Sequence, residues 1–144
     1  RDFQFIIVGD GPERQMLTRE IRNRGLEHTV RLIGMKTHEE IPIWMGASDV
    51  FTLSSIIEGV PTVLFEAMAC GKPYVGTNVG GIPEIITDAG FGIMVEAGNT
   101  EALASAISDA LDKEWDSSWI ADRAKQYAWQ SISARIMEIY KKPM

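Results

Sequence analysis

At 144 residues the chain has the size of one domain, long enough to bury a core, and its 45% apolar and 24% charged content is ordinary for a water-soluble globular protein. A formal net charge of −6 argues against a broad nucleic-acid footprint, which needs a basic stripe. The single cysteine, Cys70, excludes an intramolecular disulfide and a cysteine-only zinc site, and with no apolar run near the ~18 residues of a membrane span and no signal-peptide pattern it predicts a cytoplasmic domain.

Arg1-Asp2 leads straight into a strand without an initiator Met, so the chain is expected to be part of something longer. Phe3–Val8 is a short apolar run closed by Gly9-Asp10-Gly11-Pro12, a strand entering a turn. Pro12–Arg24 carries Leu17 and Ile21 at helical spacing, with Met16 beside them, and Gly25 supplies the stop. A second strand, His28–Ile33, ends at Gly34; Thr37 and Glu40 form a capping box that predicts a helix to about Gly46. Asp49–Leu53 is a third strand and Pro73–Thr77 a fourth, with a helix over Thr62–Cys70 between them. A short helix over Pro83–Thr87, a fifth strand at Gly92–Val95 and an amphipathic helix over Glu101–Leu111 follow. Residues 115–144 read as a helical tail of one or two helices, with Trp119, Trp129, Ile136 and Tyr140 as packing residues, the Trp and Met residues either within the chain or formerly against a missing partner. Strands alternating with helices predict an α/β fold, a doubly wound, Rossmann-like parallel sheet in a single domain over residues 1–144, with ligands at the carboxyl ends of the strands.

The chemistry concentrates in Ser54–Gly71. Gly59 gives the loop backbone freedom, and Pro61 is tolerated where a helix begins because the N–H it lacks has no intrahelical partner there. The helix that follows is apolar apart from Thr62 and Glu66, and an ionised Glu66 on such a helix is costly unless something hydrogen-bonds to it. The helix mouth offers free N–H groups and a positive dipole end to an anion. With Glu58 at the crest of the loop, the stretch suits a phosphorylated, hydroxyl-rich ligand, in outline a sugar nucleotide. Other features carry less. Gly9-x-Gly11 lacks the third glycine of a dinucleotide fingerprint, since Arg14 stands there. His28 and His38 have no metal-ligand spacing, Lys36 is expected to be solvated, and Cys70 to be a buried small residue.

Glu58-Gly59-Val60-Pro61 followed by Glu66-Ala67-Met68-Ala69-Cys70-Gly71-Lys72-Pro73 resembles the Glu-x7-Glu signature of the retaining GT-B glycosyltransferases of the group 1 type. Gly80-Gly81-Ile82-Pro83-Glu84-Ile85-Ile86 resembles that family's second shared block, and Gly9–Glu13 and Arg31–Gly34 fit earlier landmarks, so the similarity runs from about Phe3 to about Leu111. Leu53, where a Pro is common, and Val60, where a Phe is common, are mild departures.

The resemblance implies a donor-binding C-terminal half of a two-domain enzyme that moves a sugar from a nucleoside diphosphate to an acceptor hydroxyl, with no metal and no cofactor beyond the donor. It assigns Glu58 to the donor sugar and Glu66 to the ribose hydroxyls. The backbone around Gly59, Val60, Pro61 and Thr62 would meet the sugar or diphosphate, and the loops at Gly9 and at Gly34-Met35 would border the nucleotide. Gly80-Gly81 is either a tight turn or part of that cleft. It also implies a missing N-terminal acceptor domain and a missing first strand and phosphate-clamping loop, so that the chain alone should not transfer sugar. A sheet without that strand is expected to re-pair its strands or to associate with a second copy. The alternatives are a nucleotide-sugar epimerase-like domain and a non-catalytic domain of the same fold.

Overall fold

The computed structural model describes residues 3–141, which form two compact units, one running through Ile41 and the other beginning at Pro42. In the first, β1 (Phe5–Val8) and β2 (Val30–Gly34) are runs of aromatic, β-branched and aliphatic residues that pair in parallel, Phe5 opposite Val30 and Ile7 opposite Leu32, with a register irregularity between Ile7 and Val8. A parallel pair needs a crossover, supplied by α1 (Arg14–Asn23), whose Leu17 and Ile21 are half-buried while Met16 is exposed. No described side chain of this unit is fully buried, so its core is thin.

The capping box forms as the sequence predicts. Thr37 N–H donates to Glu40 Oε2 at 2.9 Å and Glu40 N–H to Thr37 Oγ1 at 3.3 Å. The bond from Thr37 N–H holds the Glu40 carboxyl below its ordinary value. The helix proper, α2 (Ile41–Ala47), nevertheless starts later than expected, because Pro42 has no N–H to return to the turn before it. Lys36, expected to be solvated, is instead largely covered and pairs with Glu40 at 3.5 Å.

In the second unit β3 (Phe51–Leu53), β4 (Tyr74–Thr77) and β5 (Gly92–Val95) form a parallel sheet with β4 in the middle. The strands thus pair in two sheets of two and three strands rather than in one. All four residues of β4 are buried, and its side chains alternate between two cores. Tyr74 faces a cluster with Leu64 and Met68 of α3 (Thr62–Ala69), Ile82 and Ile85 of α4 (Ile82–Ile85), Phe91, and Ile120 and Ala124 of α6 (Ser117–Ala124). Val75 faces Ala106 and Ala110 of α5 (Thr100–Asp112). Small residues on α5 let the helix lie close to the sheet. Both later helices are capped: Asn99 accepts from Ala102 N–H and Asp116 from Trp119 N–H, each at 2.9 Å. Trp119 is half-buried and stacks on Phe91 with ring centroids 4.4 Å apart.

Packing within the chain is incomplete for two sets of residues. Trp129, Ile136 and Tyr140 lie on α7 (Trp129–Lys141), which packs against the short 3-10 turn Lys125–Tyr127, and all three are exposed, Trp129 and Tyr140 at 81%. Helical periodicity identifies an apolar face but not what covers it. Cys70 is half-buried, its Sγ 4.0 Å from the Pro42 carbonyl. Among the described residues, no helix is long and apolar enough to cross a membrane.

Burial pushes the Tyr74 hydroxyl up from 10.0 to about 12; its hydrogen bond to Thr77 opposes this and the charge of Glu58 adds to it. Below pH 10.0 the group is protonated folded and unfolded alike. Above it the unfolded chain gives up the proton first, so stability falls as pH rises toward the folded value. The expected loss from this residue is about 1.4 kcal/mol at pH 11, one pH unit of differential titration. Urea unfolding at pH 9 and pH 11 measures it, and Tyr74→Phe removes that share of the pH dependence.

Candidate functional site

The loop between β3 and α3, residues 54–61, rests on the carboxyl end of β4 and the turn after it. Its anchoring starts at the strand pairing, where Leu53 lies opposite Gly76. Tyr74, fully buried, donates its hydroxyl to the Thr77 carbonyl at 3.0 Å and reaches the Leu53 carbonyl at 3.3 Å. The Thr77 hydroxyl donates to the Ser55 carbonyl at 2.6 Å, and the Ser55 hydroxyl donates to Glu58 Oε1 at 2.6 Å. On the other side of the loop, Gly81 N–H donates to the Gly59 carbonyl at 2.7 Å. Gly80, at φ +55°, passes so near the Glu58 carbonyl that a Cβ there would sit 2.0 Å from its oxygen. A side chain is excluded at Gly80 by backbone, not by a group that can turn away.

Glu58 is half-buried, while Ile56, Ile57 and Val60 around it are exposed at 74%, 86% and 55%. Three exposed apolar side chains thus stand beside a held carboxylate. Pro61 is the N-cap of α3, one residue earlier than a first helical position, and no side chain caps the helix. Leu64 N–H donates to the Pro61 carbonyl at 3.1 Å, which leaves the N–H groups of Thr62 and Val63 to an anion. Thr62 and Glu66, at i and i+4, share the helix face opposite Leu64, Ala67 and Met68. Glu66 is half-buried rather than enclosed, which keeps the cost of its charge small.

On the first unit, β1 and β2 run out into Gly9 and Gly34, joined by a bond from Gly9 N–H to the Gly34 carbonyl at 2.9 Å. Met35 follows with 75% of its surface exposed. Arg14 Nη2 donates to the Leu32 carbonyl at 3.3 Å, and its Nη1 lies 3.6 Å from where a Cβ at Gly34 would stand.

The family model of the glycosyl transferases group 1 matches residues 1–142. The chain belongs to the group 1 glycosyltransferases. It is 33% identical over 141 residues to N-acetyl-alpha-D-glucosaminyl L-malate synthase of Bacillus anthracis, a match covering 97% of this chain and 36% of that protein. It is 37% identical over 112 residues to alpha-D-kanosaminyltransferase of Streptomyces kanamyceticus, covering 78% of this chain and 29% of the relative. Among solved structures, a glycosyltransferase from Rickettsia africae superposes with a TM-score of 0.83 at 27% identity, over 98% of this chain and 40% of that one. HepE of Anabaena, solved in complex with UDP, does so with a TM-score of 0.79 at 30% identity, over 96% of this chain and 40% of that one. The α/β fold with parallel sheets is that of the C-terminal half of the GT-B glycosyltransferases. The chain spans about a third of the length of the curated relatives it matches first, 36% and 32%.

In this group 1 chain the Glu-x7-Glu block occupies one loop and the helix it feeds. Gly9, Gly34 and Met35 form a second set, on the first unit. Three residues that hold the Glu58 loop escaped the sequence reading. Ser55 lay unremarked in the stretch 54–71, Thr77 ended a predicted strand, and Tyr74 lay inside it. The one available signal was the three-residue spacing from Ser55 to Glu58, at which a hydroxyl reaches back to a carboxylate. Arg14, read only as a missing glycine, is the other omission; its guanidinium lies beside Gly34.

Proposed function

We propose that this chain is the donor-binding part of a retaining glycosyltransferase that moves a sugar from a nucleoside diphosphate to an acceptor hydroxyl. The observation that carries this is the uncapped N-terminus of α3 flanked by two carboxylates, Glu58 on its approach and Glu66 one turn in, within a group 1 chain. HepE, 30% identical over 96% of this chain, is solved with UDP and UDP-glucose in related structures, which supports the same ligand class here.

In this reading Glu66 accepts from the ribose hydroxyls and Glu58 from a hydroxyl of the donor sugar. The N–H groups of Gly59, Val60 and Thr62 meet the diphosphate, with Pro61 fixing the chain between them. As the glycosidic bond breaks, charge grows on the departing diphosphate, where the positive end of α3 favours the transition state without a metal. The chain alone is expected to bind donor without transferring it, the acceptor being held by the rest of a full-length protein.

The test is a titration of the chain with UDP, GDP and ADP followed by amide NMR shifts. Shifts concentrated at residues 54–66 for one nucleotide are the expected result, and they name the base. Shifts scattered over the surface, or none with any of the three, reject donor binding. Sugar transfer by the isolated chain would reject the division of labour.

A further inference from the structure

We propose that Ser55 and Thr77 are positioning residues that fix the Glu58 carboxylate toward the donor sugar, through a hydrogen-bonded line from the sheet core to the loop crest. The role rests on Glu58 being the donor-sugar carboxylate; the line itself is geometric. It begins at Tyr74, which is 0% exposed and central in the sheet, and whose hydroxyl meets the Thr77 carbonyl at 3.0 Å. It passes through the Thr77 hydroxyl, 3% exposed, to the Ser55 carbonyl at 2.6 Å, and from the Ser55 hydroxyl to Glu58 Oε1 at 2.6 Å.

Each link has a directional consequence. The Thr77 hydroxyl fixes the peptide of Ser55, and so the direction in which the Ser55 side chain leaves the backbone. Ser55 then donates to one carboxylate oxygen at the distance typical of a charge-assisted O–H···O⁻ bond. Oε1 is engaged and Oε2 is left to accept from a ligand hydroxyl. Without the bond, a half-buried glutamate between exposed Ile57 and Gly59 loses the Ser55 hydrogen bond to its carboxylate, and with it the contact that favours one rotamer. A carboxylate averaged over rotamers would still be present in the loop but would hold a sugar hydroxyl in only a fraction of its conformations. The Gly59 carbonyl, bonded by Gly81 N–H, keeps the loop backbone in place whether or not Ser55 holds the side chain. Loss of the hydroxyl should therefore loosen the carboxylate and not the loop.

The experiment compares wild type, Ser55→Ala, Ser55→Thr, Thr77→Val and Glu58→Gln. Affinities are measured for UDP against UDP-glucose and for GDP against GDP-mannose, and the Hα–Hβ couplings of Glu58 are read by NMR. The preference for the sugar-bearing ligand over its bare diphosphate isolates the contact Glu58 makes. In Ser55→Ala that preference should fall about tenfold, as for loss of a bond to a charged group, with affinity for the bare diphosphate unchanged. The Glu58 couplings should move from those of one rotamer to averaged values. Ser55→Thr, which keeps a hydroxyl, should restore both, and Thr77→Val, of equal shape, should give an intermediate loss.

A Ser55→Ala protein that keeps its preference and a single Glu58 rotamer overturns the proposal. So does one that loses sugar-bearing and bare ligand alike, since that is a structural defect. Glu58→Gln with undiminished preference, or a wild type that binds neither pair, instead rejects the donor-site reading and removes the positioning role with it.

Discussion

Gly80→Ala is expected to lower the unfolding free energy by about 2–5 kcal/mol and to abolish the preference for a nucleotide sugar over its diphosphate. Two costs add. At φ +55° a Cβ is in the left-handed region, which costs a non-glycine residue about 1–2 kcal/mol. The new atom would also stand 2.0 Å from the Glu58 oxygen and 2.8 Å from the Glu58 carbon and the Gly59 oxygen. All three are backbone atoms, so relief requires moving the loop, and moving it breaks the bond from Gly81 N–H to Gly59. Gly81→Ala is the comparison. Its Cβ would meet Val60 Cγ2 at 2.7 Å and the Gly59 oxygen at 3.1 Å, and its φ of −85° suits any residue. Val60 is 55% exposed and can rotate, and the Gly59 carbonyl has to give only by a few tenths of an ångström, so the expected cost is about 1 kcal/mol, below that of Gly80→Ala. Chemical denaturation of the two variants decides; equal losses would mean that the approach of Gly80 to Glu58 is not what holds the loop.

The contrast between these neighbours also shows what a sequence can carry. Gly80-Gly81 reads as a tight turn from its letters, and that is correct, but nothing in the letters says that the turn lies under Glu58. Local rules did well where the physics is local. The fifth strand, Gly92–Val95, falls as expected, and the buried run ending at Thr77 is the central strand because every one of its residues is apolar or small enough to be covered on both faces. The Thr37–Glu40 box forms both of its bonds. The motif pair Glu58 and Glu66 was legible because loop, helix start and carboxylate lie within one continuous stretch. What was not legible is long-range. The bond from Thr77 to Ser55 joins residues on different elements, and Tyr74 could be read as core but not as the start of a line to a carboxylate. Trp129, Ile136 and Tyr140 have the spacing of a packed helix face, yet exposure depends on what else is folded against α7. Strand pairing is likewise long-range: the α/β fold with parallel pairing was legible, and its division into sheets of two and three strands was not.

Glu66→Ala should weaken UDP binding by roughly 10- to 150-fold, the range for losing hydrogen bonds to a charged group, while leaving the fold intact. Folding should be untouched because Glu66 lies with Thr62 on the face of α3 away from Leu64, Ala67 and Met68, is only half-buried, and gives way to a better helix former. Affinity loss alone would not identify the contact, since any carboxylate near an anion site alters the field there. Removing that charge would, if anything, favour a diphosphate, so a large loss already points to hydroxyls. The decisive comparison adds 2′-deoxy- and 3′-deoxy-UDP. If Glu66 accepts from the ribose, wild type should bind the deoxy ligands as weakly as Glu66→Ala binds UDP, and the variant should no longer distinguish UDP from its deoxy forms, because the two deletions remove the same bond. Additive losses, each change costing its full amount in the presence of the other, would place the ribose elsewhere. They would leave Glu66 a polar residue on an apolar helix, with the N-terminus of α3 and Glu58 as the only parts of the proposed donor site still standing.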